Sequence, residues 1–252
     1  MNQLLALPTT HDEAWRYADP AALAALDPGE LDRWCDITLA PGEAACRVLV
    51  LDDASPGVQR LRLTLAQGAR GAIFAIASAS AYTRLEVEVR LARGAHFEFG
   101  GVTVGGGDAT REFVTRVIHA EPEATSNQVV RSVHWGRATG NFLGAVHVAR
   151  DAQQTDAAQN FRAILLEKGA SANAKPELEI FADDVKCAHG AAIGALDDTA
   201  GFYMAARGIP PEVARRLLVR AFIADAFVAL EDEAQRDDLL EQAVARLEGS
   251  RL

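Results

Sequence analysis

Apolar and polar residues alternate with a period of two through the middle of the chain. Leu61, Leu63 and Leu65 alternate with Arg60, Arg62 and Thr64, and Leu85, Val87, Val89 and Leu91 with Glu86, Glu88 and Arg90. Phe97 and Phe99 flank Glu98, and Val146 and Val148 flank His147. Successive strand side chains point to opposite faces, so this pattern predicts β-strands from about Cys46 to Ile193. Ahead of it, from Leu4 to about Ala40, Thr10 precedes Glu13 at capping-box spacing, and Ala14, Leu23 and Leu26 suit short helices divided by Pro8, Pro20, Pro28 and Pro41. After about Thr199 the spacing turns helical. Phe202-Tyr203-Met204 lead to Arg207, and Gly208 is placed to stop a short helix before Pro210-Pro211 opens the next. There Val213, Leu217, Ala221, Ala224 and Val228 form one apolar line and Leu218, Phe222 and Ala226 a second, too wide for a helix lying on one surface. The charged stretch Glu231 to Asp238 precedes a last helix through Leu239, Leu240, Val244 and Leu247. The expected layout is a helical segment over 1–43, a β core over 44–196 and a helical region over 197–252.

Gly-Ala pairs follow the strands at Gly68, Gly94 and Gly169, after LAQ, LAR and LEK. A strand with a recurring Gly-Ala corner fits the stacked coils of a β-helix. Hairpins of an antiparallel sandwich fit it nearly as well, so the solenoid has only a slight edge.

Composition narrows the class. At 252 residues, 49% hydrophobic and 24% charged, the chain has ample core. Its formal charge of -10 argues against nucleic acid or an anionic membrane as partner. No stretch approaches a spanning helix, and the opening MNQLLALPTT lacks a basic n-region, so no signal peptide is expected. Cys35, Cys46 and Cys187 stand at unrelated spacings, which suits a reducing cytoplasm rather than a disulfide framework.

The chemistry concentrates in KPELEIFADDVKCAHGAAIGALDD, from Lys175 to Asp198. Cys187 and His189, two apart on a strand, share a face with their stems roughly 6.6 Å apart. Thiolate and imidazole suit zinc, copper or iron–sulfur chemistry, yet two ligands leave a four-coordinate site open. The bland reading, a small buried thiol and a structural imidazole, is the stronger one on composition alone. A Cys–His nucleophile pair is awkward, because side chains at i and i+2 run parallel. Asp183-Asp184 reads as a turn or cap, and His119, His134 and His147 as structural. The run Gly100-Gly101 to Gly105-Gly106-Gly107 lacks both the P-loop and the dinucleotide spacing, so it is expected to be a tight turn and no ATP site. There is no Gly-x-Ser-x-Gly elbow and no His-Glu-x-x-His helix. Phe202, Tyr203 and Met204 are ordinarily core contacts of a short helix, whereas the two-sided helix from Pro211 suits an exposed patch for another protein.

Lys175 to Phe222 closely resembles the C-terminal signature of the SufB/SufD family, on its SufD side. The Cys-Ala-His-Gly-Ala stretch and the Gly194-Ala-Leu-Asp197 continuation carry the likeness. It extends upstream over Ser126 to Ala170, and LPTTHDEAWRYADP is similar to the family's opening segment. The resemblance implies a right-handed parallel β-helix capped by C-terminal helices. It implies a non-catalytic scaffold in iron–sulfur cluster assembly, paired through the β-helix with a SufB-like subunit and through the helical end with a SufC-like ABC ATPase, with a homodimer in isolation also compatible. Cys187 and His189, His189 the stronger candidate, would then lie near the junction where cluster or iron is held transiently, with no stably bound cofactor. Phe202, Tyr203, Met204, Arg207, Val213, Leu217 and Phe222 would face the ATPase. The chain looks short for the family, and a usual polar stretch is replaced near Asn160-Phe161-Arg162. A β-helix hydrolase or lyase using carboxylates on the solenoid face is the alternative.

Overall fold

A computed structural model describes residues 7–52, 57–78, 81–247 and 250. The expectations for Leu4 and most of MNQLLALPTT lie outside the described residues. Twelve strands run from β1 (Cys35–Leu39) and β2 (Ala44–Leu51) through β3 (Gly57–Leu65), β4 (Arg70–Ala77), β5 (Tyr82–Leu91), β6 (His96–Gly105), β7 (Thr110–His119), β8 (Thr125–His134), β9 (Thr139–Val148) and β10 (Thr155–Leu165) to β11 (Ser171–Ile180) and β12 (Val185–Gly194). Odd-numbered strands build one six-stranded sheet in the order β1-β3-β5-β7-β9-β11, and even-numbered strands a second, β2-β4-β6-β8-β10-β12. Every pairing is parallel, so the chain is a parallel β-helix and the sandwich reading falls. In the first coils Leu61 pairs with Cys35 and Val87 with Leu61, a repeat of 26 residues. Later coils are longer, as Lys175 over Leu143 and Cys187 over Ala157 show.

The corners explain the glycine punctuation. Gly68 and Gly94 adopt φ of 67° and 64°, a left-handed conformation costly for residues with a Cβ. Their N–H groups donate to the carbonyls of Arg93 and Pro122 on the coil that follows, each at 2.9 to 3.0 Å. The Gly100–Gly107 run behaves differently from a simple turn: Gly100, Gly101 and Gly105 lie inside β6, and only Gly106 and Gly107 turn. A Cβ on Gly100 would collide with the carbonyl of Ala226, so this glycine admits the C-terminal helices onto the sheet.

Alternation packs one face of each strand into the lumen, where Leu63, Leu85, Val87, Phe97, Phe99, Phe113, Phe142 and Phe161 form a continuous core. Phe142 and Phe161 stack at 5.9 Å across it. The C-terminal helices cover the outside of the even sheet. They are α3 (Asp198–Ala205), α4 (Pro211–Ala224), a 3-10 turn (Asp225–Phe227) and α5 (Glu233–Ala245). The charged break is thus mostly helix, capped by the Asp232 carboxylate accepting from Gln235 N–H. Val219, Ile223, Phe227, Leu239 and Leu240 pack on Phe74, Ile76, Val102 and Val104. Arg131 of β8 grips Asp225 and lies 5.8 Å from the Phe222 ring, fastening this layer.

The odd sheet is covered outside by the N-terminal segment, which is less helical than the sequence suggests. Its helices are a 3-10 turn (Glu13–Trp15), α1 (Pro20–Ala25) and α2 (Pro28–Leu31), and strand β1 already begins at Cys35. The Thr10 capping box does not form; Asp12 stands at the N-cap without a side-chain cap bond and accepts instead from Thr9 N–H. Trp15, Leu23, Leu26 and Leu31 bury against Tyr82. Beneath them lies a charged network. Arg84, fully buried, donates from Nε to Glu86 at 2.6 Å, from Nη1 to Glu112 at 3.1 Å and from Nη2 to the Ala14 carbonyl at 2.8 Å. Glu112 also accepts from Tyr82 Oη at 2.7 Å and from Asn141 Nδ2 at 2.8 Å, and the Trp15 ring lies 3.7 Å from the guanidinium. Burial pulls the Arg84 pKa down, but Glu86 and Glu112 outweigh it and the net shift is upward.

Two histidines in the lumen make stability depend on pH. Burial holds His119 at a pKa of about 4, although a backbone hydrogen bond to Ala124 opposes it. Burial and then the Arg111 charge hold His134 at about 3. Unfolded histidine titrates near 6.5. Below that pH the unfolded chain binds protons the folded chain refuses, so stability falls as pH drops from about 6.5 toward the folded values. Moving from pH 7 to 5.5 is expected to cost about 1 kcal/mol per histidine. Urea midpoints at the two pH values check this, and they should differ less in a His119→Gln, His134→Gln double variant.

Candidate functional site

Cys187 and His189 sit on β12, the last strand of its sheet, and the last strand of the other sheet is β11. β12 pairs with β10 so that Cys187 stands over Ala157 and His189 over Gln159. Ala157, Gln159, Phe161 and Ala163 are the buried, lumen-facing residues of β10. Parallel stacking preserves side-chain direction from coil to coil, so Cys187 and His189 continue the lumen file where no described strand stacks beyond them. Cys187 is half-buried against Val146, Val148, Ala157 and Ala182, while His189 is exposed.

Burial and then the Asp156 carboxylate push the Cys187 thiol above its ordinary pKa, against a lowering hydrogen bond from the Ala157 backbone. The sulfur is therefore a thiol at neutral pH, and a soft metal would have to displace its proton. Among the described residues no group of three His, Cys, Asp or Glu side chains is placed to hold a metal ion. The pair offers two donors, one sulfur and one imidazole.

The surroundings contain apolar residues that sequence reasoning did not single out. Phe181 and Ile193 are 49% and 47% exposed, with Ile180 also exposed, on the same terminal coil. Alternation marks Ile180 and Ile193 as strand residues, but not as belonging to a coil that none other covers. Asp183 and Asp184 form the corner between β11 and β12, where Asp184 N–H donates to Gln153 Oε1 at 2.9 Å and its carbonyl accepts from Gln154 N–H at 2.6 Å. Cys35 and Cys46 lie on β1 and β2, at the opposite end, and all three cysteines are free. His119 and His134 face the lumen, His119 bonded to Ser126 at 2.9 Å, and His147 pairs with Glu179 at 2.9 Å outside it.

A second surface lies on the C-terminal helices. α3 buries none of its residues, so the reading of Phe202, Tyr203 and Met204 as core contacts does not hold. Phe202 is 78% exposed and Tyr203 58%, with the Arg207 guanidinium 3.5 Å from the Tyr203 ring. Val213 and Leu217 of α4 are exposed as well, and Phe222 alone of the candidates packs partly against the even sheet. The helix buries Ala214, Val219 and Ile223, a line the sequence reading did not pick out, and packs Val219 and Ile223 against the solenoid. That leaves the predicted Val213–Leu217 line facing outward.

Comparison with known proteins gives the family. Residues 40–222 match the family model described as SUF system FeS cluster assembly, SufBD core domain. The chain belongs to the SufBD family. Among its curated relatives, the iron-sulfur cluster assembly protein SufD of Escherichia coli is 36% identical over 131 residues, 52% of this chain and 31% of that protein. SufD of Bacillus subtilis is 32% identical over 139 residues, 55% of this chain and 32% of its own length. Protein ABCI7, chloroplastic, of Arabidopsis thaliana is 40% identical over 133 residues, 52% of this chain and 28% of that protein. The matches thus span about a third of each of these relatives. Within the SufBD family the likeness is to SufD. No described helix is long and apolar enough to cross a membrane.

Proposed function

We propose that the chain is a SufD-like, non-catalytic scaffold subunit for iron–sulfur cluster assembly. Its terminal coil pairs with a SufB-like subunit, and its helices engage a SufC-like ABC ATPase. The observation that carries this reading is the position of Cys187 and His189, a two-donor half-site on the uncovered end of a stacked solenoid. A cluster iron needs further thiolate or sulfide ligands, and a partner docked on β11 and β12 would supply them. A site left incomplete by its own chain holds iron only within the junction and gives it up when the junction opens. Phe181, Ile180 and Ile193 supply apolar area for the same contact, and the unpaired strand edges favour pairing with another chain.

The ATPase surface in this reading is the face of Phe202, Tyr203, Met204, Arg207, Val213 and Leu217. An exposed aromatic pair beside an arginine is the composition expected at an interface centre. The carboxylates on the solenoid faces favour the alternative enzyme less, because Glu86, Glu88, Glu98 and Glu112 are each tied to a basic neighbour.

Co-expression with a SufB-like protein and a SufC-like ATPase tests the proposal. The three are expected to elute together in gel filtration. A Phe202→Ser, Tyr203→Ser double variant should lose the ATPase and keep the SufB-like subunit, since neither side chain supports the core. Three proteins eluting separately, or a double variant that retains the ATPase fully, would overturn the reading.

A further inference from the structure

The lumen holds a cation that no described residue neutralises. Arg111, on β7, is 2% exposed. Its Nη2 donates to the Ser78 carbonyl, while Nε and Nη1 find no acceptor among the described residues. The hydroxyl of Ser78, the residue whose carbonyl Arg111 grips, is also buried without a partner. Glu112, next in sequence, points to the opposite face of the strand and serves the Arg84 network. Burial lowers the Arg111 pKa only to about 10, so the guanidinium is charged at neutral pH.

The other polar groups at this corner are neutral. Thr103 Oγ1 pairs with Ser132 Oγ at 2.7 Å and with His134 Nε2 at 3.1 Å. His134 stays uncharged, as its low pKa requires. Two glycines bring these groups together. A Cβ on Gly105 would come within 2.9 Å of the guanidinium carbon, and one on Gly140, the strand partner of Arg111, would collide with Ser132 and His134. An isolated buried charge is strongly disfavoured, and two guanidinium donors without acceptors add to that cost. A water could satisfy some of the donors but not the charge. A small anion does both.

We propose that the lumen binds one small monovalent anion, of halide or hydrosulfide size, on a free donor of Arg111, Nε or Nη1, beside the Thr103–Ser132–His134 cluster. The site goes beyond the scaffold function and stands whether or not the chain joins a SufB-like subunit.

Thermal unfolding of the full chain tests it, in sodium gluconate replaced stepwise by sodium bromide at constant ionic strength, and separately by sodium hydrosulfide without oxygen. The midpoint is expected to rise and saturate, by about 5–10 °C at an anion concentration a hundredfold above Kd. Arg111→Met should abolish the dependence. A rise with bromide alone identifies a halide site, and saturation at lower hydrosulfide concentration identifies hydrosulfide. An unchanged midpoint with both anions overturns the proposal. Should Arg111→Met fail to fold, wild-type crystals grown in bromide decide the matter: an anomalous peak within hydrogen-bonding distance of Nε or Nη1 is expected, and its absence overturns the site.

Discussion

Glu112→Ala is expected to destabilise the chain by about 3–5 kcal/mol, the cost of removing one partner from a buried ion pair. Glu112 is fully buried and accepts from Tyr82, Arg84 and Asn141 together. Without it, Arg84 keeps only Glu86 as counter-charge while remaining completely out of water. The loss also removes Glu112 as an acceptor for the Tyr82 hydroxyl and loosens Asn141, which ties to the Tyr17 carbonyl at 3.0 Å. The N-terminal segment should therefore detach before the solenoid opens. A fall of about 10 °C or more in thermal midpoint is the expected size for a chain of this length. Glu112→Gln should lose less, because it can still accept from one neighbour. By contrast Arg137→Ala, which breaks an exposed pair with Asp108 at 2.6 Å, should leave the midpoint unchanged. Equal effects of Glu112→Ala and Arg137→Ala would show that the network adds nothing.

His189→Ala carries the largest expected functional effect. Loss of one donor from a two-donor half-site should lower cluster delivery in cells by about tenfold or more, in line with the cost of disturbing metal ligation. The imidazole is exposed on the last strand and supports no core, so the fold and the complex should survive. Cys187→Ser should act more mildly, since the thiol is held protonated by burial and by Asp156 and would contribute only after losing its proton. The readout is the activity of iron–sulfur enzymes in cells depending on this pathway, with complex assembly checked in parallel. Normal activity in cells carrying His189→Ala would favour an inert, structural pair.

Much of this architecture was legible in the chain. Period-two alternation at Leu61–Leu65 and Leu85–Leu91 marks lumen and surface faces, and Gly68 and Gly94 mark a corner because left-handed backbone favours glycine. The same corner is taken by Glu123 and Gln154 in later coils, which is why the repeat fades from view as the coils lengthen. Alternation alone could not separate a solenoid from a sandwich, since both bury every second residue. It also could not tell that β12 is uncovered, because exposure there reflects what fails to stack on it. The helices misled in part. The Val213–Leu217 line stays exposed, in keeping with its reading as a face for another protein, but the Val219–Ile223 line that packs on the solenoid was not picked out. The Arg84–Glu112 network was hidden for another reason: its members alternate on strands like solvent-facing charges, and the overlying N-terminal segment, with Trp15 against Arg84, makes them buried.

Iron and acid-labile sulfide, measured in the proposed complex of this chain with a SufB-like and a SufC-like protein purified without oxygen, test the half-site most directly. The account predicts both elements in the wild-type complex, and their loss from a His189→Ala complex that still elutes intact. The same iron and sulfide content in the two complexes would contradict it.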